Sequence, residues 1–400
     1  MLITGRHKIT HKKTRVVLSC ACLIYLIYPV LLLAAMSCVT EFIPQVSEER
    51  ELLVVEGLIT DQPEPYTVKL SKASPFGKKS EVIPLGNCMV SVTDNLGNRY
   101  YLNEQSTGTY VSDPAYFRGV VGRSYSLNIK TDRYAGGFTF ESSPVEMIPV
   151  PPIDSIYYEK TVIQEKTEDD PQIDGCQIYL DTSDPENINR YFRWDFDECW
   201  ILRLLWPVDN MKCWVYDKSR TIHIKNTTSL DESAIEAYPL TYITNETDRL
   251  KMEYSILVNQ YSMNEEEYNF WEKLKTLTEQ VGGLYDVVPY SITSNLYCLD
   301  DQSVKVLGYF SVSAKSSKRI FIKDKFEGII DRYADCVTDT LPTDYPPSID
   351  GINVRVWALL VNKSSFTSPG YTIITDRKGC ADCTDRGTTT EPDFWKENKK

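Results

Sequence analysis

The sequence predicts a mainly β protein in two parts. An immunoglobulin-like or carboxypeptidase-regulatory-like β-sandwich is expected over residues 51–148, then a larger β-rich domain over residues 153–400 with one prominent helix at about 263–282. Three observations carry this. Short segments rich in Val, Ile, Thr and Tyr recur along the chain, and tyrosine alone occurs 26 times; such side chains suit a pleated, half-buried surface. Turn residues separate those segments at sandwich-like spacing. One stretch carries a prominent 3.6-residue apolar period.

The chain opens on an export signal, residues 1–37, which does not belong to the fold. Arg6, Lys8, Lys12, Lys13 and Arg15 precede an uncharged apolar run from Val16 to Ala35, and Ala35-Met36-Ser37 leads to Cys38. Cys38 is the expected lipidation site, because a thiol there can be alkylated by diacylglycerol before the preceding bond is cut. The competing reading is a retained anchor, since the run is long enough to approach the span of a bilayer. Cleavage before Cys38 removes those five basic residues and no acidic one, taking the formal net charge from −13 to −18. So acidic a chain argues against a nucleic-acid partner, whose phosphates need Lys and Arg.

Residues 38–50 form a polar linker. In the first domain, Leu53 to Ile59 and Tyr66 to Leu70 read as strands, and Asp94-Asn95-Leu96-Gly97-Asn98 as the loop of a hairpin. Pro144, Pro149, Pro151 and Pro152 mark a stiff boundary, because proline cannot donate to a ladder. Beyond it, Gln177 to Leu180, Tyr191 to Phe196, Leu250 to Gln260 and Val304 to Val312 are further strands. For the helix, Ser262 and Glu265 make a capping box, Glu265, Glu266 and Glu267 suit the positive N-terminus, and Tyr268, Trp271, Leu274, Leu277 and Val281 share one face. Gly282-Gly283 ends it.

With Cys20 and Cys22 in the signal and Cys38 the lipidation site, eight cysteines remain: Cys88, Cys176, Cys199, Cys213, Cys298, Cys336, Cys380 and Cys383. An even number in an exported chain points to disulfides, with the pairing open and with buried free thiols as the alternative. Cys380-Ala381-Asp382-Cys383 is a CxxC followed by loop residues. It reads as two cysteines joining different disulfides and pinning the tail, rather than as a zinc half-site or a redox motif.

His223 is the one histidine outside the signal, which argues against Ser-His-Asp catalysis and histidine-rich zinc sites. No catalytic residue, metal or cofactor is expected. The carboxylate pair Asp181 and Asp184 reads as a solvated loop rather than a calcium site. Trp194, Trp200, Trp206 and Trp214 form a candidate aromatic binding surface if exposed, and a sandwich core if buried.

Several stretches, in order, resemble the domain of unknown function 4249 family. They include Ser37-Cys38, Leu53-Val54-Val55-Glu56-Gly57-Leu58-Ile59, Tyr66-Thr67-Val68-Lys69-Leu70, Asn189-Arg190-Tyr191-Phe192-Arg193-Trp194, Gln260-Tyr261-Ser262-Met263, Val306-Leu307-Gly308-Tyr309-Phe310, the CxxC and Pro392-Asp393-Phe394-Trp395. The resemblance implies an outer-membrane lipoprotein of Bacteroidota encoded beside a TonB-dependent receptor, with no established activity, cofactor or catalytic residue. The expected protein is thus lipid-anchored in the outer membrane at the cell surface, the periplasmic face being the alternative. It would act as a non-catalytic accessory that captures a substrate of unknown identity for the TonB-dependent receptor. A surface enzyme with a carboxylate-based site and a structural or adhesin-like surface protein are the alternatives.

Overall fold

The computed structural model describes residues 52–73, 82–132, 137–205, 208, 210–279, 292, 294–330, 336, 338–342, 357–360, 371–375 and 377–398. The expected export signal, Cys38 and the expected linker lie outside the described residues, as do Trp206, Val281, Gly282 and Gly283. The protein is mainly β, 49% strand against 11% helix, as its composition predicts.

The first layers comprise β1 (Leu52–Ile59), β2 (Thr67–Ala73), β3 (Ile83–Pro84), β4 (Met89–Asp94), β5 (Arg99–Ser106), β6 (Thr109–Val111), β7 (Ser124–Lys130), β8 (Thr139–Ser142) and β9 (Val145–Glu146). Alternation along β1 buries Leu53, Val55 and Ile59 and leaves Val54, Glu56 and Leu58 on the other face. At the β4–β5 hairpin the Asp94 carboxylate accepts the N–H groups of Leu96 and Asn98, and Gly97 takes φ +84°. β5 turns a corner, pairing with β4 through Arg99 to Leu102 and with β6 through Asn103 to Ser106.

The second layers comprise β10 (Ile153–Gln164), β11 (Ile173–Asp184), β12 (Tyr191–Arg203), β13 (Lys212–Lys218), β14 (His223–Asn226), β15 (Ser233–Ile243) and β16 (Tyr254–Ser262). Helix α1 (Glu265–Glu279) follows, then β17 (Leu296–Cys298), β18 (Val306–Val312) and β19 (Lys315–Ile322). One sheet runs β10-β11-β15 and another β13-β12-β16-β19, with β14 beside β12. Their inner faces enclose Ile178, Leu180, Phe192, Trp194, Tyr254, Ile256 and Val258.

The first sheet is not contiguous in sequence. Its order is β17-β8-β7-β4-β5-β6-β2-β1-β18, so both end strands come from residues 296–312. β18 pairs with β1 in parallel, setting Val54 beside Leu307, Glu56 beside Tyr309 and Leu58 beside Ser311. Parallel partners need a long crossover, and here the whole second region supplies it. Asn295 completes the join: its side-chain amide donates to the Phe310 carbonyl and accepts from the Phe310 N–H, at 2.9 and 3.0 Å. At Gly308 φ is +88°, and a Cβ would stand 1.9 Å from the Val55 carbonyl oxygen. Only glycine fits there.

The proline-rich boundary is held by buried polar side chains of β16. Gln260 donates to the Pro151 carbonyl and to Thr182 Oγ1, and its oxygen accepts the Trp194 indole N–H. Ser262 donates to the Ile148 carbonyl and accepts the Ala314 N–H. Ser262 is therefore occupied in the sheet and does not cap α1. The cap is Asn264, whose Oδ1 accepts the Glu267 N–H at 2.8 Å. The capping-box expectation is corrected by two residues, because β16 continues to Ser262.

β20 (Thr338–Pro342), β21 (Trp357–Leu360) and β22 (Tyr371–Thr375) form a small sheet in the order β20-β22-β21. The tail carries α2 (Lys378–Ala381) and α3 (Asp393–Glu397). Cys213 bonds Cys383 and Cys336 bonds Cys380, so the two cysteines of the CxxC join different disulfides, as the sequence predicts. Arg386 grips Asp248 through two hydrogen bonds, of 2.6 and 3.1 Å. Trp395, fully buried, packs on Cys199, Ile201 and Trp214.

Gly308→Ala is expected to cost about 2–4 kcal/mol, from positive-φ strain plus the clash with Val55; a denaturant midpoint left at the wild-type value would refute this. The Cys213–Cys383 bond spans 170 residues. Replacing both cysteines by serine is expected to lower stability by about 2–4 kcal/mol, and limited proteolysis should then release the tail first.

Candidate functional site

α1 lies over the outer face of β1 and β18, and between them is a cavity of about 700 Å³. Its floor is Val54, Leu58, Leu307 and Tyr309; its roof is Phe270, Trp271, Leu274 and Leu277. Each strand contributes alternate residues, so the face turned from the sandwich core becomes the floor. Residues 270, 271, 274 and 277 follow helical spacing and form the matching stripe. Phe270 packs at a tilt against Tyr309 with ring centroids 4.9 Å apart, setting the helix on the sheet. Glu56 and Lys69, register neighbours on β1 and β2, line the cavity and are exposed.

The polar end is built from three elements. Arg193 of β12 lines the cavity, its guanidinium carbon 4.5 Å from the Tyr261 ring centre and 4.8 Å from that of Trp271. Glu267, in the first turn of α1, is completely buried. Its Oε1 accepts from Ser311 Oγ at 2.6 Å and from the Trp271 indole N–H at 3.1 Å. Ser311 and Trp271 both line the cavity, so Glu267 sits one hydrogen bond behind the lining. Burial pushes its carboxyl above the usual range, against the pull of Arg193 and those two donors.

Three buried polar atoms of this cluster have no partner among the described residues: Arg193 Nε, Glu267 Oε2 and the Tyr309 hydroxyl. Burial, reinforced by Glu267 and Glu266, pushes the Tyr309 phenol up, so it stays protonated as a donor. Buried polar groups in native proteins are nearly always satisfied. Three unsatisfied ones at one end of an apolar cavity mark a place where a ligand or water completes the bonding.

The residues singled out in the sequence lie elsewhere. Trp194, Trp200 and Trp214 are buried, at most 5% exposed, and do not form an exposed binding surface. Trp194 and Trp200 fill the second core, and Trp214 packs with Trp395 under the tail. Of the eight candidate disulfide cysteines, Cys88, Cys176, Cys199 and Cys298 are free thiols. Cys298 lies in the first core with Cys88 packed against it, Cys176 lies in the second, and Cys199 lies under Trp395. Burial pushes the Cys176 and Cys199 thiols up to about 12, which keeps them as inert apolar groups. Asp181 accepts from the Ser155 hydroxyl and the Ala237 N–H, while Asp184 accepts the N–H groups of Glu186 and Asn189. Among the described residues no group of three or more His, Cys, Asp or Glu is placed to hold a metal.

The chain matches the model of DUF4249, a domain of unknown function, over residues 39–319. It belongs to this family. No curated protein matches it. The family match takes in the floor, the roof and Arg193, and stops within β19, so the disulfide-bonded tail lies beyond it.

Sequence reading assigned Glu267 to the helix dipole and passed over Arg193 and Tyr309. A signal for Glu267 was present: it falls four residues before Trp271 and three before Phe270, on the apolar stripe rather than off it.

His223 sits on β14, with ring centroids of Phe196 and Tyr238 5.7 and 6.4 Å away and Thr221 Oγ1 2.6 Å from Nε2. Burial, with Lys275 adding, pushes its pKa down from 6.5 to about 4. Between those values the unfolded chain binds a proton that the folded chain does not, so stability falls as pH drops through that window. His223→Gln should flatten that part of the stability–pH curve, as measured by thermal melts from pH 7 to pH 4; an unchanged slope would show that the imidazole is not buried neutral.

Proposed function

We propose that this protein is a lipid-anchored surface protein that captures a small ligand in the cavity under α1 and hands it to a TonB-dependent outer-membrane receptor. The observation that carries the capture is the cavity itself: about 700 Å³, within the size range of small-molecule sites, with two of its lining residues, Arg193 and Tyr309, each carrying a buried unpartnered polar atom. Anchoring rests on Cys38 at the end of the apolar run. The receptor partnership rests on the implied gene neighbourhood, and it agrees with the acidic charge, which suits neither nucleic acid nor anionic headgroups. Two disulfides support an oxidising, extracytoplasmic compartment. Capture without chemistry fits the placement of Glu267, the buried carboxyl of the polar end: it is held by Ser311 and Trp271 behind the lining.

The test is affinity purification of the tagged protein from outer membranes in mild detergent, followed by mass spectrometry. A TonB-dependent barrel is expected in stoichiometric amount. Recovery of the protein alone, under conditions that preserve other barrel complexes, would remove the receptor from the proposal.

A further inference from the structure

We propose that the cavity under α1 binds an apolar monocarboxylate, with the carboxylate on Arg193 and the Tyr309 hydroxyl and the apolar body against Phe270, Trp271, Leu274 and Leu277. This rests on the cavity being the ligand site, as proposed above, and adds the chemistry of the ligand.

The argument starts from Arg193. Its guanidinium lies near two aromatic rings, Tyr261 and Trp271, at 4.5 and 4.8 Å. Such contacts favour a cation over the rings and fix the guanidinium plane. They satisfy none of its in-plane N–H donors, and Nε is buried without an acceptor among the described residues. Nor does any carboxylate among the described residues come within ion-pair distance of Arg193; Glu267 is held instead by Ser311 and Trp271. A half-buried guanidinium with an unpartnered Nε calls for an anion. A planar carboxylate matches its fork in two parallel bonds.

The second donor narrows the choice. The Tyr309 hydroxyl, 5% exposed as a residue and unpartnered, can add a third hydrogen bond to the same head group. One guanidinium and one hydroxyl suit a single negative charge. A phosphate dianion would be under-compensated here, the more so with Glu267 close by. An amine would leave Arg193 unpaired and add repulsion. Apart from Glu56, Thr67, Lys69 and Ser311, the rest of the lining is apolar, so the body of the ligand is apolar and gains from burial.

The experiment is calorimetric titration of the full chain in lipid nanodiscs with 4-phenylbutanoate, 4-phenylbutanol and 4-phenylbutylamine, probes that share one apolar body and differ in head group. The acid is expected to bind about tenfold to a hundredfold more tightly than the alcohol, as for hydrogen bonds to a charged group, with the amine weakest. Arg193→Gln should abolish the preference for the acid. Tyr309→Phe should weaken the acid several-fold and leave the alcohol nearly unchanged, with the melting temperature of each variant checking that the fold persists. Equal affinity for acid and alcohol would overturn the carboxylate and leave ligand capture standing. Failure of all three to bind would overturn both the inference and the cavity as the ligand site.

Discussion

The parallel pairing of β1 with β18 is the constraint on which the rest depends. It closes the first sheet with a strand that arrives more than two hundred residues later in the chain, and it can form only because Gly308 lets the Val55 carbonyl approach. The same pairing makes the cavity floor. A register slip of one residue would exchange the two faces of β18, sending Leu307, Tyr309 and Ser311 into the sandwich and Phe310 out of it. Fold closure and site geometry are thus one event, and the site cannot exist in the first region alone.

A second set of interactions carries the long crossover. The path from β8 and β9 through the prolines to β10 is pinned by Gln260 and Ser262, which satisfy main-chain carbonyls at Ile148 and Pro151. β12 and β16 are neighbours, and residues 193 and 261 are register partners. That pairing puts Tyr261 beside Arg193, while α1, which starts three residues after Ser262, brings Trp271 to the guanidinium. Strand order in the second region therefore places Arg193 at the polar end of a cavity whose floor belongs to the first.

Burial sets the electrostatic character of that end. Glu267 and Tyr309 are both driven toward their neutral forms, chiefly by loss of solvent. The guanidinium of Arg193 has an unpartnered Nε in the same cluster, which is why that end favours an anionic partner. At the opposite extreme, the free thiols of Cys176 and Cys199 are buried among apolar side chains and contribute packing alone.

Alternating and helical periodicity made the β architecture, the helix and its apolar stripe legible in the sequence, since those patterns depend only on neighbours a few residues apart. The splitting of the CxxC between two disulfides was legible too, because loop residues follow it. Less was legible of the site. The cap moved to Asn264 because the length of β16 is set by pairing with β12 and β19. The tryptophans could be read as surface or core, and the choice is made by which sheet face is covered. Arg193, Glu267 and Tyr309 are far apart in the chain and carry no motif. The sequence by itself determined the strand-rich class and the local periodicities, because each is written in consecutive residues. Only the tertiary structure decided that β18 returns to β1, which thiols remain free, and that one arginine faces an apolar cavity, because those follow from long-range pairing and from what solvent can no longer reach.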